Sequence, residues 1–180
     1  MNILITGSTG SVGSKITKIL SKNHRVTCID PRNGPSNKLQ KYDLCLMMHG
    51  GHHSDGSATY IKNCEAISTN DASYIYSIKD NGCLIIMSSR RAVKPTMKEW
   101  NYAAAKAALR AYSLAIYKDY PNLRITCLCP GWIESKQATD EKIERVISCK
   151  DLANLIETIA LTRSIRIPEI FMEPIGEAEY

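Results

Sequence analysis

Asn2-Ile3-Leu4-Ile5-Thr6-Gly7-Ser8-Thr9-Gly10-Ser11-Val12-Gly13 is the stretch on which the fold turns. Asn2 to Thr6 reads as a short apolar strand. Ser14 to Leu20 reads as a helix, with Val12, Ile16, Ile19 and Leu20 at helical spacing. Between them the glycines are spaced G-x-x-G-x-x-G, not the G-x-G-x-x-G of the general dinucleotide fingerprint. Glycines let a backbone approach a pyrophosphate closely, and a helix N-terminus points N–H groups at it. The strand before and the helix after supply the context such a loop needs before it reads as more than a turn. Gly7, Ser8, Thr9, Gly10, Ser11, Val12 and Gly13 are therefore the expected cofactor loop.

His24 to Asp30 is the second strand. It ends in an acid where a carboxylate would accept from adenosine ribose hydroxyls and repel a 2′-phosphate, which favours NAD over NADP. Arg32, close by, pulls the other way. Pro31 to Lys41 is a polar loop, and a third strand, Asp43 to Met48, follows at once. That interval has no room for the usual helix, strand and helix. A loop passing over one strand need cross only about 4.8 Å per strand step, so the second strand is expected at the sheet edge. His49-Gly50-Gly51-His52-His53-Ser54-Asp55-Gly56 comes next. Without a carboxylate or Cys at a confirming spacing outside that loop, we expect no metal. His49 and Gly50 are expected beside cofactor or substrate, as loops at strand ends are in open α/β sheets.

Ala58 to Ile78 has a broad apolar helical face, and Gly82 is placed to close it as a C-cap. Cys83 to Met87 is a buried strand ending in Ser88-Ser89. Thr96-x-x-Glu99 is a capping box, so a helix starts there and runs to about Tyr120, before Pro121. Leu123 to Cys129 is a strand, Asp151 to Thr162 a helix started by Ser148, and Ile167 to Pro174 the last strand. This alternation implies one α/β domain over 1–180, a Rossmann-like doubly wound parallel sheet of about six strands with helices on both faces.

The Ala-rich helix carries Tyr102-Ala103-Ala104-Ala105-Lys106. Residues four apart share a helix face. A phenol is a poor acid-base group near neutrality, with a pKa of about 10, and a nearby cation lowers it. The pair is a candidate general acid-base.

Composition narrows the class. Seven Cys, an odd number with no Cys-x-x-Cys, sit mostly in apolar runs, which predicts buried thiols in a reducing compartment and neither a disulfide frame nor a zinc site. The opening run, Met1 to Gly7, is too short for a secretory signal, and no run reaches the roughly 18 apolar residues of a membrane span. We therefore expect a cytoplasmic protein. The net charge of +5 is scattered, without the clustered basic face that nucleic acid requires.

Together these residues resemble the short-chain dehydrogenase/reductase family. Thr6-Gly7-x-x-Gly10-x-x-Gly13 is similar to its cofactor loop, with a spacing nearer the epimerase-like and atypical branches. Ser89, thirteen residues before Tyr102, resembles the catalytic Ser, and Tyr102-x-x-x-Lys106 the catalytic pair. The resemblance implies a catalytic role for Asn63 and cofactor contacts from Pro130, Gly131, Ile133 and Ser135. It implies hydride transfer between nicotinamide and a small carbonyl or alcohol. It also implies a homodimer or homotetramer paired through the helices at 58–78 and 99–120. Two departures stand out: the strand end reads Met47-Met48-His49-Gly50 where the family has Asn-Asn-Ala-Gly, and the lid between Ser135 and Ser148 is short. A non-catalytic cofactor sensor is the rival reading. A sugar-nucleotide epimerase or dehydratase is a third, and the lack of room for a substrate domain counts against it.

Overall fold

Ile3, Leu4 and Ile5 point alternately to the two faces of strand β1 (Asn2–Thr6), and all three are buried. A strand buried on both faces belongs inside a sheet covered by helices above and below. The computed structural model, which describes residues 1–29, 40–48 and 75–176, has that arrangement. After β1 come α1 (Ser11–Leu20), β2 (Arg25–Ile29), β3 (Tyr42–Met47), β4 (Ile78–Met87) and α2 (Trp100–Asp119). Then follow β5 (Arg124–Pro130), a short α3 (Lys136–Asp140), α4 (Cys149–Leu161) and β6 (Glu169–Met172). Among the described residues the strands form one parallel sheet in the order β2-β1-β3-β4-β5-β6. This is the Rossmann-like α/β sheet that the sequence implies, and β2 is an edge strand as expected.

Each face of the sheet has its own core. On one, Ile16 and Leu20 of α1 and Leu152 and Ile156 of α4 pack against Ile3, Ile5, Leu44 and Ile85. On the other, Leu109 and Ile116 of α2 pack against Leu4, Cys45, Leu84, Ile86 and Ile125. Each such side chain contributes about 1.5–3 kcal/mol on burial. The two cores hold α1 and α2 on opposite faces of the sheet.

Three expectations need correction. Gly82 is not a helix C-cap: β4 starts at Ile78, and the register against β3 shifts between Tyr42 and Leu44. The extra residues form a bulge, with Asn81 left-handed at φ 59°. Gly82 fits there because a Cβ would lie 2.3 Å from the Ile78 Cγ2 and 2.7 Å from the Lys79 carbonyl. The capping box at Thr96 does not form. Met97–Glu99 is a 3-10 turn without a side-chain cap, and Glu99 instead holds Arg91 at 2.6 Å, a charged bond stronger than a neutral cap. Cys28 is exposed because β2 is an edge, whereas Cys45, Cys83, Cys127, Cys129 and Cys149 are buried. Ser148 does cap α4, which starts at Cys149, with its oxygen 3.0 Å from the Asp151 N–H. Cys64, the His49–Gly56 loop and nearly all of the helix expected at 58–78 lie outside the described residues. Among the described residues no helix is long and apolar enough to cross a membrane.

Arg124 joins these layers. Its buried guanidinium donates to the carbonyls of Ile159, Ala160 and Thr162 at the end of α4 and to that of Asn81 in the bulge. Helix ends leave such carbonyls unpaired, and a cation suits the negative end of the helix dipole. Arg124→Met should lower the unfolding free energy by about 3 kcal/mol in urea titration, because charged bonds are lost and buried acceptors are left unpaired. A loss below about 0.5 kcal/mol, the range of neutral surface changes, would contradict this role.

Candidate active site

In an open parallel sheet, ligands bind past the carboxyl ends of the strands where the strand order reverses. Here the order reverses between β1 and β3. A cavity of about 380 Å³ lies there, lined by Gly7 after β1, Met48 after β3, Met87 to Arg91 at the end of β4, and Pro130 to Ile133 at the end of β5.

The glycine loop forms one wall. Gly7 is left-handed, at φ 71°. Gly10 donates its N–H to the Gly7 carbonyl at 3.1 Å and precedes α1 without a capping side chain. A Cβ on Gly13 would stand 2.1 Å from the Gly7 oxygen, so only hydrogen allows α1 to approach its own loop this closely. Gly7, Gly10, Ser11, Val12 and Gly13 all line the cavity; Ser8 and Thr9 complete the loop without lining it. No acid lies in the first turn of α1, so its positive end faces the cavity unopposed from within the helix. These residues fit the pyrophosphate of a dinucleotide. The Ser11 hydroxyl accepts the Lys136 N–H at 3.0 Å, and Lys15 pairs with Glu134 at 2.8 Å. Both bonds tie α1 to the segment after β5.

The opposite wall holds Ser89, Tyr102 and Lys106, all lining the same cavity. Ser89 Oγ accepts the Arg91 N–H at 3.2 Å, and its hydroxyl hydrogen-bonds Tyr102. The Lys106 Nζ donates to the Met87 carbonyl at 3.2 Å and lies 5.7 Å from the Tyr102 ring centre. Ala103 and Ala105, between the two, are both buried. Lys106 is itself buried, and desolvation brings its pKa down to about 8, against a partial upward pull from Cys127 and Cys129. The Tyr102 phenol moves the other way. Burial pushes its pKa up, Ser89 pulls it back and Glu99 raises it further. The spacing predicts a phenol acidified by Lys106; in this arrangement its pKa is raised instead, because desolvation outweighs the neighbours.

Pro130, Gly131, Ile133 and Ser135 also line the cavity. Ser135 caps α3, its oxygen accepting the Ala138 N–H at 3.1 Å. Asp30, His49, Gly50 and Asn63 lie outside the described residues. Sequence reasoning missed Met48, Met87, Ser88, Glu99, Trp132 and Gln137 as lining residues. Arg90 and Arg91 line the cavity, as their place beside Ser89 implies, and Glu99 had a signal as the acid three residues before Tyr102. The Ser88 hydroxyl, donating to the Lys106 carbonyl at 2.8 Å, had none beyond its place next to Ser89.

Residues 67–145 match the family model described as short chain dehydrogenase. Over 74 residues, 41% of this chain, the sequence is 35% identical to "3-ketodihydrosphingosine reductase TSC10" of Saccharomyces cerevisiae, a match spanning 22% of that protein. The fold is similar to that of a 3-alpha-hydroxysteroid dehydrogenase from Pseudomonas sp. B-0831 complexed with NADH, with TM-score 0.79, 14% identity, and 96% of this chain and 95% of that one covered. It is also similar to a small-chain dehydrogenase in complex with NADPH, with TM-score 0.76, 14% identity, and 96% and 95% covered. Residues 67–145 thus resemble the short chain dehydrogenase family, and the sheet has the fold of the two dehydrogenase structures.

The depressed pKa of Lys106 has a measurable consequence. Below pH 8 the lysine is charged both folded and unfolded, and the penalty for burying its charge is at full size. Between pH 8 and 10.5 the folded form sheds its proton first, so the unfolded state binds more protons and stability rises with pH. Wild type should therefore gain up to ~3 kcal/mol relative to Lys106→Met across that range, measured by urea unfolding at a series of pH values. A difference that stays flat with pH would contradict the buried-charge assignment.

Proposed function

We propose that this chain is an oxidoreductase that moves a hydride between a nicotinamide dinucleotide and the carbonyl or alcohol carbon of a small molecule. The observation that carries this reading is that Ser89, Tyr102 and Lys106 share one cavity with the open N-terminus of α1. The bound nicotinamide supplies the hydride in reduction and takes it in oxidation. Tyr102 gives its proton to the carbonyl oxygen, and Ser89 hydrogen-bonds that oxygen as charge develops on it. Lys106 would hold the nicotinamide ribose, and the family resemblance gives Asn63, outside the described residues, the role of anchoring a water in the proton path.

In the direction of carbonyl reduction Tyr102 is the proton donor. The yeast relative's description as a reductase of a keto compound supports that direction. Asp30, directly after β2, supports NAD(H) over NADP(H). The free thiols fit a reducing, cytoplasmic setting. The family resemblance adds self-association into a homodimer or homotetramer through the helices at 58–78 and 99–120.

Fluorescence titration should show NADH binding more tightly than NADPH, with the preference weakened in Asp30→Ala. Against a panel of ketones, Tyr102→Phe should lose at least ~100-fold in turnover, the usual scale for a positioned acid-base group, while binding NADH as wild type does. Equal turnover by Tyr102→Phe would sink the catalytic assignment. Cofactor binding without turnover by wild type on any ketone would favour the sensor.

A further inference from the structure

Cys127 and Cys129 are two residues apart on β5, so the strand's period of two sets both thiols on one face. Both are fully buried, yet neither belongs to the apolar cluster on either side of the sheet. Their surroundings are polar. The two sulfurs lie 3.8 Å apart, and the Cys129 Sγ lies 3.7 Å from Glu169 Oε1. Strand pairing sets Glu169 of β6 directly opposite Cys127. All three donor atoms lie within 4.8 Å of one another. Arg110 of α2 grips the Glu169 carboxylate with two hydrogen bonds, one to each oxygen, the Nη2 bond at 2.8 Å. Ser113, fully buried, sets its hydroxyl beside Cys127, and that oxygen has no hydrogen-bond partner among the described residues at normal geometry.

These separations suit a particular chemistry. A tetrahedral ion with sulfur at about 2.3 Å and carboxylate oxygen at about 2.1 Å sets its ligand atoms about 3.8 Å apart for sulfur–sulfur and about 3.6 Å for sulfur–oxygen. We propose that Cys127, Cys129 and Glu169 form a binding site for one thiophilic divalent cation of the Zn²⁺ class, with the Ser113 hydroxyl beside the fourth position. Two S–H bonds give up their protons to solvent as two metal–sulfur bonds form, and no oxidation state changes. Arg110 stays on the carboxylate as its outer partner, in the way ligating carboxylates are held elsewhere. Two thiolates and a carboxylate carry one negative charge beyond that of the ion, and Arg110 balances it. The partly exposed Arg110–Glu169 pair is the way in from solvent. An ion held here clamps β5 to β6 directly beneath the helix that carries Tyr102 and Lys106. The chain has no Cys-x-x-Cys, but on a strand Cys-x-Cys is the spacing that brings two sulfurs to one face.

The test uses the full chain, reduced and stripped of metal, with Co²⁺ as the optical probe. One Co²⁺ per chain should give a thiolate-to-cobalt charge-transfer band that Zn²⁺ abolishes, and Zn²⁺ should raise the melting temperature. Cys127→Ser and Cys129→Ser should each weaken binding at least tenfold, while Cys28→Ser leaves it unchanged. Melting without metal reports whether each variant folds. X-ray absorption of the wild-type Zn²⁺ adduct needs no variant and should find two sulfur ligands. A cobalt spectrum without a thiolate band, a band that survives both substitutions, or a zinc shell without sulfur each overturns the proposal.

Discussion

The distance from Gly13 to the Gly7 carbonyl is the constraint on which the rest of the site depends. A Cβ at Gly13 would meet that oxygen at 2.1 Å, so any other residue would push α1 away from its loop. Several linked features would move with it. The helix N-terminus would no longer face the cavity, Lys15 would leave Glu134, and Ser11 would lose the Lys136 N–H. The segment after β5, which carries Ile133 and Ser135, is held as well by backbone bonds from Glu134 to Ile147, from Ile147 to Trp132 and from Gly131 to Met172. The close approach at Gly13 shapes the glycine-loop wall, and the reversal of strand order between β1 and β3 leaves the space that the walls enclose.

The second wall rests on the burial of a charge. Lys106 sits in the interior with the Met87 carbonyl as acceptor, and its depressed pKa records what that costs. Few residues bury a charge unless something compensates it. Here the surroundings are graded in polarity: apolar clusters over most of the sheet, then Ser88, Ser113 and the two thiols of β5, then Glu169 gripped by Arg110. Lys106 lies between this polar zone and the cavity. The face of α2 that holds Tyr102 in place is therefore continuous with the face that covers Cys127 and Cys129.

Legibility from the sequence followed the range of each interaction. The glycine loop, the Tyr102–Lys106 pair and the Ser148 cap of α4 depend on residues within a turn or two of each other, and their spacing could be read directly. The edge position of β2 followed from a loop too short to hold another strand. A glycine after an apolar run marks a helix end and a strand bulge equally well; at Gly82 it is the pairing of β4 with β3, some forty residues away in sequence, that tells them apart. Tyr102 was expected to be acidified by the cation one turn away. The winning effect is desolvation, which depends on the whole packing of α2 and has no local signature. The Cys127–Cys129–Glu169 cluster combines a readable two-residue spacing with a cross-strand partner some forty residues on, which only the β5–β6 register reveals.

The measurement that bears most directly on the central claim is a crystal structure of the protein with NADH. The expected result has the pyrophosphate against Gly7 to Gly13 within hydrogen-bond reach of the α1 N-terminal amides, and the nicotinamide ribose beside Tyr102 and Lys106. NADH bound elsewhere on the protein, or a filled cavity with the pyrophosphate away from α1, would contradict it.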